Sequence, residues 1–176
     1  MKALSRRKAL VICVAALNAA LTRHAIAQLD SPIAGGVSAG TGAGVHSPNS
    51  PFAPLPQRND VLPWSMLTDV KTRLVKKKVL PDFPAPVQAL DDRMQRVQGF
   101  MMPLEPGERQ KHFLLTSVPL TCSFCTPGGP ESMVEVKTKT PVKYTLEPVV
   151  VEGRFSVLAD DSYGLYYRMT EAVAVK

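Results

Sequence analysis

Val97-Gln-Gly-Phe-Met-Met102 is the stretch from which the fold class can be read. It is apolar, strand-compatible, and stopped by Pro103, which has no N–H to give to a ladder. The same texture recurs downstream. His112-Phe-Leu-Leu-Thr-Ser-Val118 reads as a second strand, and residues 133–138 as a third with Val134 and Val136 on one face. Val149-Val-Val-Glu-Gly-Arg-Phe-Ser-Val157 is a fourth, and Gly164-Leu-Tyr-Tyr-Arg-Met169, running on to Val175, a fifth. Gly99 and Gly153 fall inside these runs, where glycine marks a bulge or a sharp bend. Five short, bent strands with little helix predict a mainly β fold, a small OB-like five-stranded barrel, with a β-sandwich as the alternative.

Upstream of this run the pattern changes. Asp91-Asp92 is a turn pair, Pro81, Pro84 and Pro86 break the chain, and residues 87–90 suit a single helical turn. Leu67, Val70 and Leu74 recur at i, i+3 and i+7, which predicts a short amphipathic helix over residues 65–78, with Pro63 and Ser65 as start signals. Lys76-Lys-Lys78 would suit the C-terminal end of that helix. The same lysines can be read as a binding patch; the flat charge balance elsewhere favours a solvated last turn. Trp64 is read as an aromatic plug on the core.

The N-terminus carries an address. Lys2-Ala-Leu-Ser-Arg-Arg-Lys8 is a basic head, an apolar run of about 13 residues follows, and Ala25-Ile-Ala27 closes it as a small-x-small cleavage site. The run falls short of the roughly 20 residues that a spanning helix needs. Residues 1–27 therefore read as a secretory signal cleaved after Ala27, with an uncleaved anchor as the alternative. Ser5-Arg6-Arg7 resembles a twin-arginine export signal, although Ala9 is a weak match to its usual apolar pair. Either export route ends outside the cytoplasm, in the periplasm, and takes Cys13 away with the signal.

Five of the six net positive charges lie in residues 1–27, so the remainder carries +1. A nearly neutral domain lacks the electrostatic footprint of a nucleic-acid binder. Apolar residues make up 45%, which excludes a wholly disordered chain. Residues 31–56 hold five glycines, five prolines and no charge, so 28–60 is expected to be a flexible linker, with His46 solvated in it. The single β-rich domain is then expected at 61–176, a usual size for a small domain.

Chemistry concentrates in Thr121-Cys-Ser-Phe-Cys-Thr-Pro-Gly-Gly-Pro-Glu131, which holds both remaining cysteines. Three readings compete. A disulfide is the default outside the cytoplasm, though so small a ring gains little loop entropy. A thioredoxin-like redox pair needs a helix N-terminus after the first cysteine, and Thr-Pro-Gly-Gly-Pro cannot begin one. A metal site is the third reading: Cys-x-x-Cys on a turn is half of a zinc knuckle, with Cys122 and Cys125 as ligands. His112 and Glu131 are the possible further zinc ligands, although His112 lies ~20 Å away along its strand. Copper(I) would accept Met101 and Met102, which otherwise read as core filler. Asp160 and Asp161 sit in a connecting turn and read as solvated. The sequence contains no Ser-His-Asp set, phosphate loop or paired carboxylates, so an enzyme is not expected.

Leu90-Asp-Asp, Val97-Gln-Gly-Phe-Met-Met-Pro-Leu104, His112-Phe-Leu-Leu115 and the Cys-x-x-Cys-x-Pro-Gly-Gly-Pro loop together resemble the exported bacterial family known as domain of unknown function 3299. Pro148-Val-Val-Val-Glu-Gly153 and Tyr167 to Ala172 fit its closing strands, and the resemblance spans about Trp64 to Val175. One departure is Asp92, where a glycine would be usual. The resemblance implies a periplasmic protein with no assigned activity, often encoded beside ABC-type transport components, some of them zinc-regulated. It also implies a branch with Cys-x-His in this loop, an exchange that a metal site survives and a disulfide does not. On that ground the expected function is an exported accessory protein binding zinc or copper through Cys122 and Cys125, serving a transport assembly. The alternative is a non-metal binding module with a structural disulfide, and a thiol–disulfide oxidoreductase ranks third. Membrane contact is expected only through a partner or an uncleaved signal.

Overall fold

The computed structural model describes residues 42–176; the signal reading and the first part of the linker lie outside them. Among the described residues, seven strands and three short helical turns follow in order. These are α1 (Trp64–Leu67), β1 (Lys71–Val75), β2 (Lys78–Asp82), α2 (Ala85–Gln88), β3 (Arg93–Pro103) and β4 (Arg109–Thr116). A 3-10 turn (Pro130–Ser132), β5 (Met133–Lys143), β6 (Val149–Val157) and β7 (Tyr167–Val175) complete the chain. The last five strands close into a barrel in the order β3-β4-β5-β7-β6. All neighbours are antiparallel except β5 and β7, which run parallel. This is the OB-like barrel expected from the sequence.

Closure depends on β3 serving two neighbours. Residues 93–99 pair with β6 and residues 100–103 with β4, so the strand changes partner at Gly99. A Cβ at Gly99 would lie 2.8 Å from the Thr116 carbonyl oxygen, which explains why no side chain is carried at the bend. Gly153 sits where the β6–β7 register shifts, and a Cβ there would lie 2.8 Å from the Thr170 carbonyl. Asp92 has φ 57°, a left-handed conformation that glycine would adopt more freely, and its carboxylate accepts from the Arg154 guanidinium at 2.8 Å.

Alternate residues of every barrel strand point inward. Val97, Phe113, Leu115, Val134, Val136, Val151, Phe155 and Met169 fill the interior and are fully or almost fully buried. Leu67 from α1 and Val87 from α2 plug it from outside the sheet. Tyr167 stacks at a tilt against Phe83 and Phe155, and its hydroxyl donates to the Leu67 carbonyl at 2.6 Å. Burial, with the Glu131 carboxylate nearby, pushes the Tyr167 phenol well above its ordinary range, so it stays a donor. Trp64 is partly buried against the core, as expected, and donates its indole N–H to the Gln98 carbonyl at 2.9 Å.

Three expectations are corrected. The helix expected over 65–78 shrinks to the single turn α1, and the rest becomes the hairpin β1–β2. Three apolar residues at helical spacing do not outweigh the β-branched Val70, Thr72, Val75 and Val79, and no common face is buried: Leu67 is fully buried while Leu74 is 73% exposed. The described part of the expected linker, residues 42–60, is not a free tether either. Val45 and Thr126 form an antiparallel bridge, and Ala43, Gly44 and Gln57 line a cavity of about 360 Å³ against the barrel with Trp64 and Gln98. His46 also lines it, partly buried, with its Nε2 bonded to nothing in the protein. The helical turn expected at 87–90 begins two residues earlier, at Ala85, behind Pro84.

Tyr167→Phe leaves the buried Leu67 carbonyl without its donor and is expected to cost about 1–2 kcal/mol in chemical denaturation. Leu74→Ala is expected to stay within about 0.5 kcal/mol of wild type. A loss of about 2–5 kcal/mol at Leu74 would place it in a packed core and restore the helical reading.

Candidate functional site

The connection from β4 to β5, residues 117–132, carries both cysteines and the 3-10 turn. It leaves the barrel at Thr116, whose hydroxyl donates to the Val118 carbonyl at 2.8 Å. The Cys122 amide then donates to the Pro119 carbonyl at 3.1 Å and the Cys125 amide to the Cys122 carbonyl at 3.3 Å, which folds the Cys-x-x-Cys stretch into consecutive turns. This curvature brings the two Cα atoms to 5.4 Å, and the sulfurs are joined as a disulfide. Val118, Cys122 and Cys125 form a small second core, covered by Phe52.

Residues 42–52 strap this loop. The Val45 amide donates to the Thr126 carbonyl at 2.8 Å, and the Thr126 amide to the Val45 carbonyl at 2.9 Å. The Gly42 amide donates to Glu131 Oε1 at 2.6 Å, and the Ser117 hydroxyl donates to the Ala43 carbonyl. The Ser50 hydroxyl lies 3.3 Å from Cys122 Sγ. Backbone meets backbone so closely that a side chain at Gly128 would collide with the Gly42 carbonyl. Gly44, at φ 74°, would place a Cβ 2.7 Å from the Thr126 carbonyl. The Pro-Gly-Gly-Pro sequence thus provides a surface without side chains on which the strap lies.

The residues considered as metal ligands are distributed as follows. Cys122 and Cys125 bond to each other and in this form offer no thiolate. Glu131 is buried and spends one carboxylate oxygen on the Gly42 amide. His112 lies on the outer face of β4, with Nε2 2.7 Å from Glu135 Oε1 and Nδ1 3.8 Å from Glu105. Met101 is buried in the core, and Met102 is partly exposed. Both line a shallow groove with Pro119, Leu120 and Thr121, the last adjoining Cys122. Among the described residues no three His, Cys, Asp or Glu side chains are grouped as a metal would require. Neither His112 nor Glu131 therefore completes a site with the cysteines, and the donor set does not fit a four-coordinate zinc.

One cluster is absent from the sequence reading. Glu135 is next to the inward Val134 and Val136 and so faces outward, yet its side chain is almost wholly covered. Arg168 from β7 pairs with it, His112 from β4 bonds it, and Lys137 Nζ lies 3.5 Å away. Burial pushes the Glu135 carboxyl up, and the Arg168 and His112 bonds outweigh that and hold it below its ordinary range. Arg168 also reaches Asp161 at 3.1 Å. Asp161 accepts from the Tyr163 amide at 2.8 Å as well, so it is a turn-forming group and not the solvated acid expected. The parallel β5–β7 register, which opposes Glu135 and Arg168, and the β4–β5 register, which brings His112 alongside, assemble this cluster. Spacing within one strand carries no signal of it.

A family model described as protein of unknown function (DUF3299) matches residues 65–172. No curated protein matched the chain. A crystal structure of a DUF3299 family protein from Pseudomonas aeruginosa PAO1 is 28% identical, with a TM-score of 0.41. The match covers 51% of this chain and 65% of that one, less than two thirds of its length. The chain belongs to the DUF3299 family.

Glu135→Gln tests the ion cluster. A carboxyl whose folded pKa is depressed stabilises the protein at neutral pH, and that contribution fades as pH falls through the folded pKa. The variant is expected to lose about 1–3 kcal/mol at pH 7 and to converge with wild type in acid. An equal deficit at every pH would show that the loss comes from packing and not from the charge.

Proposed function

We propose that this DUF3299 protein is an exported, periplasmic accessory protein that acts by binding, and that Cys122 and Cys125 are a structural disulfide shaping its β4–β5 loop. The carrying observation is the bonded cysteine pair, buried with Val118 beneath Phe52. Such bonds persist in oxidising compartments, in keeping with the signal-like layout of residues 1–27. The ring is too small for loop entropy to account for it. Its contribution is to hold a turn whose Thr126 grips the strap.

The partner side of the reading rests on the groove beside this loop. Phe100, Met102, Leu120, Tyr144 and Leu146 line a mostly apolar depression of about 130 Å³. That is below the roughly 300–1,000 Å³ of small-molecule pockets and suits one or two side chains of a protein partner. A membrane transport assembly of the ABC type is the partner class proposed. The metal reading requires the reduced pair and, for zinc, ligands from a partner to complete the coordination.

Protein recovered from the periplasm without chelators decides between these readings. Free thiols are counted in denaturant, and metal is measured by mass spectrometry on the same sample. The proposal expects no free thiols before reduction and no stoichiometric metal. Near one equivalent of zinc or copper, lost in the Cys122→Ser, Cys125→Ser double variant, would replace it with the metal reading. Recovery in the cytoplasm alone would overturn the export it assumes.

A further inference from the structure

The hairpin β1–β2 pairs with no strand of the barrel and touches the body of the protein chiefly through Leu80 and the buried Pro81 at the end of β2. It forms a two-stranded sheet of its own, every residue of β1 is exposed, and Leu74 and Val79 stand directly opposite each other in its register. Both therefore share one face, 73% and 63% exposed. Lys71, Arg73 and Lys78 share the other face with Val75, Leu80 and Asp82, and Lys76 and Lys77 form the two-residue turn. Residues 71–82 hold five cations and one acid, a net +4, whereas residues 28–176 as a whole carry +1. The charge that looks flat along the sequence is concentrated on one projecting, amphipathic element.

The turn adds an independent observation. Lys76 and Lys77 have φ 47° and 68°, the left-handed pair of a primed hairpin turn. Asn-Gly would adopt this geometry with less strain, so the sequence accepts a poorer turn while carrying two ammonium groups at the tip. An isolated two-stranded hairpin with an apolar face is marginal in water. Its surface therefore calls for a partner that is both anionic and apolar.

We propose that this hairpin docks on anionic phospholipid membrane, its Leu74 and Val79 entering the interfacial region while Lys76, Lys77 and their neighbours meet the headgroups. The composition favours lipid over the alternatives. Protein interfaces are depleted in lysine and anchored by aromatic side chains, and the hairpin has five cations, four of them lysine, and no aromatic residue. Single-stranded nucleic acid is held by stacking on aromatic rings, which the hairpin also lacks. Tyr163, 86% exposed, lies in the turn whose Asp160 pairs with Lys78, and it places an interfacial aromatic residue close to the same element. The inference does not depend on the cysteine loop or on the partner groove.

The test is co-sedimentation of the full chain with phosphatidylcholine vesicles and with mixed phosphatidylglycerol–phosphatidylcholine vesicles. Wild type and variants share the same N-terminus, so the basic and apolar residues before position 28 contribute equally. The decisive variant is Lys76→Asn with Lys77→Gly, which improves the turn while removing both tip charges. It is expected to unfold at the same or a higher temperature than wild type and to bind the anionic vesicles roughly tenfold to thirtyfold more weakly. Leu74→Ser with Val79→Ser is expected to weaken binding several-fold without loss of the barrel fold. Wild-type binding that is equal on neutral and anionic vesicles, or unchanged in both variants, would overturn the proposal. So would hairpin crosslinks to a protein in the absence of vesicle binding, which would assign this surface to a protein partner.

Discussion

A five-stranded sheet closes on itself only if one strand bends enough to bond on both sides along its length. Here β3 does so, and Gly99 sits at the changeover, pressed against the Thr116 carbonyl with no room for a side chain. Closure sets the alternation of every strand. Val134, Val136 and Met169 face the interior, and Glu135 and Arg168 face outward. It also brings β5 beside β7 in parallel, the pairing that lets a carboxylate on one strand meet a guanidinium on a strand more than thirty residues later. Thr116, the last residue of β4, is both the neighbour of Gly99 and the start of the cysteine loop, so the bend in the sheet fixes where that loop leaves the barrel.

The loop and its strap are held by a backbone bridge and by a few side chains that bond to main-chain groups. The Val45–Thr126 bridge, the Gly42 amide on Glu131 and the close approach of Gly128 to the Gly42 carbonyl need small residues on both sides. The disulfide adds a fixed curvature beneath them, and Phe52 covers it from the strap. The cysteines, the glycines behind them and the glycine- and serine-rich segment before the barrel thus form one structural unit, although more than sixty residues separate them in sequence.

The strands were legible because each is a run of apolar, strand-forming residues bounded by turns; β6 has the bounds expected for it. The hairpin β1–β2 was not, because Leu67, Val70 and Leu74 fit a helical period by coincidence and Lys76-Lys77 is no recognisable turn sequence. The strap was hidden for a different reason. Its contacts run largely through its own backbone amides and carbonyls, and a segment rich in glycine, alanine, serine and proline shows no hydrophobic period whether it is docked or free. Of the candidate ligands, Cys122 and Cys125 were singled out by their spacing, which suits a metal and a disulfide alike, and they are bonded to each other. His112 and Met101 were placed elsewhere by strand register, which one sequence does not encode visibly.

The account stands on the disulfide as the staple that keeps the β4–β5 loop in the grip of the strap. Amide hydrogen exchange at Val45 and Thr126, compared between oxidised and reduced protein, tests this directly. These two amides are expected to lose protection by tenfold or more on reduction, while Val136 and Met169 in the barrel keep theirs. Equal protection of Val45 and Thr126 in both states would contradict the account and leave the cysteine pair without a structural purpose in this loop.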